Sequence, residues 1–101
     1  ERVTKRDQAE FPYRKARLFH KQNKLQEAKM FYEQTIQSTA QEPWYFAPNA
    51  CLQLGYIALF ESDKRTAKLY FEQALTYKKH EYKNSIDSKA KSALAQLSGS
   101  K

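Results

Sequence analysis

Side chains able to attack a substrate or hold a metal are few in this 101-residue chain: one cysteine, Cys51, and two histidines, His20 and His80. A nucleophilic thiol needs a base within hydrogen-bond reach, and a metal needs three or four ligands at set spacing. Cys51 stands among Ala50, Leu52 and Leu54 on a helix position facing a partner helix, where a lone cysteine serves as a small buried hydrophobe. His20 and His80 lie far apart, each among lysines, with no Asp/Glu pair at ligand spacing. There is no glycine-rich phosphate loop and no nucleophile elbow. These features point to a chain that is not an enzyme, with no metal, no cofactor and no catalytic residue.

Side chains suited to gripping another polypeptide are plentiful instead. Tyr13 and Arg17 are one helical turn apart, and Asn49 and Tyr56 are two turns apart. Rigid rings, a guanidinium fork and an amide that can bond backbone are the groups an extended peptide requires. The elements described next set Tyr13, Arg17, His20 and Lys21 on one helix and Asn49, Gln53, Tyr56 and Phe60 on another. Together these eight form the expected inner wall, with Glu10, Leu52 and Leu59 beside them. A helix covering the second hairpin would bury Leu52, Tyr56 and Leu59 instead of leaving them for a ligand.

Gly55 is the best guide to those elements. The run from Asn49 to Phe60 reads as a helix, and a glycine inside a helix costs about 1 kcal/mol relative to alanine. Close approach of a second helix offsets such a cost. Ala67, Phe71 and Ala74 follow at i, i+4 and i+7, one face of that second helix. The pair reads as an antiparallel hairpin whose backbones touch at Gly55 and Ala67, with Phe71 closing the wedge. On this reading Gly55→Ala is mild and Gly55→Leu is severe.

The same pattern occurs twice. Moving back 39 residues carries Ala67 to Ala28, Phe71 to Tyr32, Gly55 to Ala16 and Ala58 to Phe19. Gln22–Ala28 then aligns with Glu61–Ala67 as a short polar turn, in which Asn23 suits a left-handed backbone. Leu54-Gly55 and the Ala67-x3-Phe71 spacing resemble the tetratricopeptide repeat. The chain departs from that pattern at Cys51, Ala58 and Lys79, and in the first copy at Lys15 and Thr35. The wording around Pro12–Arg17, Trp44–Pro48 and Lys79–Asn84 is similar to a Bacteroidetes-type subgroup with an extended link between repeats. It resembles more distantly a eukaryotic family tied to inclusion-body clearance. The resemblance implies a scaffold that binds a protein or peptide on its concave face. The carboxylate clamp of the family's chaperone-tail receptors is not reproduced, since Tyr13, Arg17 and Gln53 occupy its positions.

The expected architecture is all-α: two antiparallel hairpins plus a C-terminal capping helix, forming a fragment of a right-handed α-α superhelix. Residues 1–8 are expected to be a flexible tail, 9–40 the first hairpin with helices near 9–22 and 25–39, and 41–47 a linker. The second hairpin spans 48–80 with helices near 48–61 and 64–79, the capping helix 81–97, and 98–101 a tail. Phe11, Ala16, Leu18 and Phe19 are the apolar points of the first helix. Leu25, Ala28, Tyr32 and Ile36 are the inward stripe of the second. Trp44, Tyr45 and Phe46 form an aromatic plug between hairpins. Asp63 or Ser62 caps the fourth helix. Tyr82, Ile86, Ala90, Ala93, Leu94 and Leu97 line one side of the fifth, which covers the open end of the stack.

Net charge is +7, spread as +5 over residues 1–24, −3 over 25–62 and +5 over 63–101. The basic ends support an alternative reading, an adaptor touching nucleic acid or an anionic membrane face. The aromatics that would stack on bases already have places in the core or linker, and no nucleic-acid motif is present, which argues against nucleic acid. No run approaches the roughly 18 apolar residues needed to cross a membrane. One cysteine excludes an intrachain disulfide. Two repeats are short for this architecture, so the chain is expected to be the C-terminal part of a larger protein, with homo-oligomers possible.

Overall fold

A computed structural model of the chain describes residues 4–78 and 80–99. Lys79, at a position where the repeat pattern often has proline, lies outside the described residues, as do residues 1–3 and 100–101 of the two expected tails. Five helices follow in order: α1 (Lys5–Lys21), α2 (Leu25–Thr39), α3 (Phe46–Phe60), α4 (Lys64–Ala74) and α5 (Lys83–Gly99). No strand occurs among the described residues. The architecture is all-α, with α1/α2 and α3/α4 as the hairpins and α5 laid mainly on α4 and also against α3.

The two hairpin turns are copies at the expected offset. Asn23 and Ser62 take left-handed backbone angles, φ 62° and 65°. The N–H of Lys24 donates to the Phe19 carbonyl at 2.8 Å, and that of Asp63 to the Ala58 carbonyl at 2.8 Å. Asp63, not Ser62, caps α4, its carboxylate accepting from the Thr66 N–H.

Gly55 serves a ring. A Cβ built on Gly55 would lie 2.4 Å from the Phe71 Cε1 atom, and Phe71 is fully buried. What Gly55 vacates is therefore space for the Phe71 side chain, which closes the wedge between α3 and α4, with Ala67 fully buried on the same face of α4. In the first hairpin the corresponding pair is Ala16 and Tyr32, both at 0 % exposure. Thr35, where the repeat prefers alanine, is buried without a penalty because its hydroxyl donates to the Phe31 carbonyl at 2.8 Å.

Between the hairpins, Phe46 is buried and Trp44 and Tyr45 are half-buried around it. The Arg6 guanidinium lies 5.3 Å from the Phe46 ring centroid and holds both Glu81 carboxylate oxygens at 2.8 Å. That clasp ties α1 to the connection before α5. Lys29 of α2 pairs with Glu61, just past α3, at 2.9 Å, and the Tyr70 hydroxyl of α4 donates to Glu33 of α2.

Several boundaries differ from expectation. The first helix begins at Lys5 instead of near 9, because Thr4 and Asp7 form a reciprocal capping box. Phe46 and Ala47, expected in the linker, open α3, with Pro48 in its first turn. The fourth helix stops at Ala74 and the fifth reaches Gly99, past its expected end at 97. Phe11 and Leu18 are 62 % and 53 % exposed and thus not core residues of α1. Tyr82 is 68 % exposed at φ 59°, ahead of the buried stripe Ile86, Ala90 and Ala93.

Candidate functional site

Helix geometry puts Asn49, Gln53, Tyr56 and Phe60, at i, i+4, i+7 and i+11, along one stripe of α3. On α1, Arg17 and Lys21 are the repeat counterparts of Tyr56 and Phe60, and Tyr13 and His20 those of Leu52 and Leu59. The structure brings most of these together in two adjoining depressions that share Arg17. One, of about 470 Å³, is lined by Arg17, Leu18, His20, Lys21 and Gln53. The other, of about 190 Å³, joins Tyr13, Arg17 and Asn49 to Tyr45, Tyr82, Ser85, Ile86 and Lys89. Tyr56 and Phe60 line neither and sit further along α3.

Tyr13 is the hinge of this arrangement, and it is a core residue. It is 4 % exposed, and its ring contacts those of Tyr32, Tyr45 and Phe46. Its hydroxyl oxygen accepts from the Arg17 guanidinium at 3.1 Å and from the Asn49 amide. Partial burial works against the Arg17 cation, but the bond to Tyr13 together with the nearby Tyr13, Tyr32 and Tyr45 phenols holds the guanidinium above its usual value. His20 faces Tyr32 with Nδ1 and the phenolic oxygen 3.1 Å apart. Burial and then the Arg17 charge lower the His20 pKa, which keeps the imidazole neutral near pH 7.

The α3 stripe is more open. Phe60 is 72 % exposed and Tyr56 36 %, the latter leaning its ring against Phe71 at 5.5 Å between centroids. Leu52, by contrast, is fully buried and Leu59 half-buried. Coverage of the α3 wall is thus divided: Leu52 belongs to the core, whereas Tyr56 and Phe60 keep accessible rings. Glu10, beside the wall, pairs with Arg14 at 3.2 Å.

Tyr45, Tyr82, Ser85 and Lys89 line the site but were not expected there. Lys89 follows the buried Ile86 by three residues, which sets it on the adjoining edge of α5. That spacing is readable, but the position of α5 across from α1 is not, since α5 has no counterpart in the repeat. Cys51 is fully buried, and burial pushes its thiol up to about 12, so it stays protonated and unreactive.

The family profile described as Tetratricopeptide repeat matches residues 9–41 and 48–81, the two hairpins in turn. No match to the chain was found among curated proteins or among solved structures.

Proposed function

The chain belongs to the tetratricopeptide repeat family, a family of non-catalytic helical scaffolds that mediate protein–protein contacts, and from that premise we propose that it binds an extended segment of a partner protein between α1 and α5 along α3. The observation that carries this reading is the coexistence of two kinds of group on one wall. Polar and cationic groups of α1 line a depression of about 470 Å³, and beside it α3 presents the accessible rings of Tyr56 and Phe60. Large exposed rings next to directional donors are what anchor residues of a partner segment need. Elsewhere the large aromatics of α3 and α4 are packed inward, as Phe46 and Phe71 are.

Replacing Phe60, Tyr56 or Arg17 by alanine should each weaken a bound segment by about 1–2 kcal/mol, as truncated anchors do. Titration of a peptide selected on the chain, run beside a thermal melt, measures both effects. Phe60→Ala should leave the melt nearly unchanged, because the ring is 72 % exposed, and Arg17→Ala should cost only the bond to Tyr13, about 0.5–1.5 kcal/mol. Binding that ignores all three substitutions would move the functional surface off this wall.

A further inference from the structure

Hydrogen-bond capacity is left over at the α5 end of the groove. The Tyr13 oxygen already accepts twice, from Asn49 and Arg17, so its lone pairs are used. Its own proton has no acceptor among the described residues. Arg17 spends one of its five N–H groups on Tyr13 and keeps the rest. The Lys89 ammonium and the Ser85 hydroxyl, on the same pocket, have no partner among the described residues. Lys5, Arg6, Arg14, Lys29 and Lys83 each hold a carboxylate, whereas no carboxylate lines the pocket that holds Arg17 and Lys89.

Two cations and the Tyr13 and Ser85 hydroxyls therefore line about 190 Å³ that contains no anionic side chain. We infer that this pocket takes the carboxylate of an Asp or Glu side chain in the bound segment, making the groove selective for acidic partner peptides. The inference rests on the groove being the peptide-binding surface. A carboxylate fits the inventory: two oxygens can accept from a guanidinium, an ammonium and a phenol together. A nucleic-acid backbone presents anions in a row and needs a track of cations, whereas these cations meet at one small pocket. The pairing is also distributed differently from a clamp built on the first repeats alone, because Lys89 comes from the capping helix.

The test is selection of 12-residue peptides from a random displayed library on the intact chain at physiological salt. Wild type should enrich Asp or Glu at one fixed position, and changing that residue to Asn or Gln should weaken the synthetic peptide tenfold or more. Lys89→Glu should abolish the preference and favour a Lys-substituted version of the peptide. Lys91→Glu, an equal change of charge outside the pocket, should keep affinity within twofold. Equal losses from Lys89→Glu and Lys91→Glu would overturn the inference, since the effect would then be net charge. Peptides that lose affinity with Phe60→Ala but show no acidic preference would overturn it while leaving the groove reading intact. Peptides insensitive to Phe60, Tyr56 and Arg17 alike would remove both.

Discussion

A phenyl ring sits where the Gly55 side chain would be, and this sets the sign of every substitution there. Alanine gains about 1 kcal/mol of helix propensity over glycine. Its Cβ would stand 2.4 Å from a ring that is buried on all sides and has little room to give. Gly55→Ala should therefore destabilise the fold by about 1–3 kcal/mol, the usual range for overpacking, and Gly55→Leu by more. This reverses the mild effect expected from sequence. Pairing Gly55→Ala with Phe71→Leu should recover part of the loss, and a double-mutant cycle in urea measures it. A stable Gly55→Ala with no coupling to Phe71 would contradict the contact. His20 supplies a second test at this scale. Its pKa is lowered on folding, so the unfolded chain binds a proton more readily, and stability rises with pH in that window. As pH falls below about 6.5 the melting temperature should drop, until the folded imidazole also protonates. Asp63 and Glu81, lowered by hydrogen bonds from Thr66 and Arg6, act only at more acid pH. His20→Gln should flatten the slope between pH 7 and 5; an unchanged slope would assign it elsewhere.

At the scale of elements, what the chain repeats was legible and what it does once was not. The turns at Asn23 and Ser62, the pairs Ala16/Tyr32 and Gly55/Phe71, and the wall positions Arg17/Tyr56 and Lys21/Phe60 all follow from the 39-residue offset. The start of α1 escaped because its first turn has no apolar face and is held by polar contacts. Thr4 and Asp7 cap it, Arg6 grips Glu81 and Lys5 pairs with Glu42 at 2.6 Å. Asp in place of the usual Glu or Gln made the capping box harder to see. Phe11 and Leu18 were misplaced for a related reason. Their counterparts in the second hairpin, Ala50 and Ile57, are buried, but α1 has no hairpin before it among the described residues. Half of the candidate site came from repeat register; Ser85 and Lys89 depended on how α5 docks, which no repeated pattern encodes. Thr4→Ala should cost about 0.5–2 kcal/mol, as loss of an N-cap does. Amide exchange should quicken first at Asp7 and Gln8, whose N–H groups face Thr4. Uniform quickening through α1 would instead mean that the helix has no separate first-turn stability.

For the whole molecule, shape and charge decide what can bind where. The described residues fill a slab of 54 × 30 × 18 Å, too thin for each hairpin to keep a core of its own. One cluster of buried side chains runs from Tyr13 and Tyr32 through Phe46 to Leu54 and Phe71. The hairpins should accordingly melt in a single transition, with calorimetric and van't Hoff enthalpies equal. Charge is the opposite case, distributed instead of shared. The basic excess lies at the two ends of the chain around an acidic middle, and one cation of that excess, Lys5, pairs with Glu42 from the middle. Cations placed this way attract any polyanion weakly but offer no continuous track along which a strand could release counterions at many sites. Binding of a random oligonucleotide should therefore be weak at low salt and gone at physiological salt. The slope of affinity against salt should correspond to few phosphate contacts, and reversing Lys64, Arg65 and Lys68 together should change it little. Sub-micromolar binding that survives physiological salt and vanishes with those three reversals would make the α4 surface a nucleic-acid interface, and the acidic-peptide groove would lose its standing as the main contact.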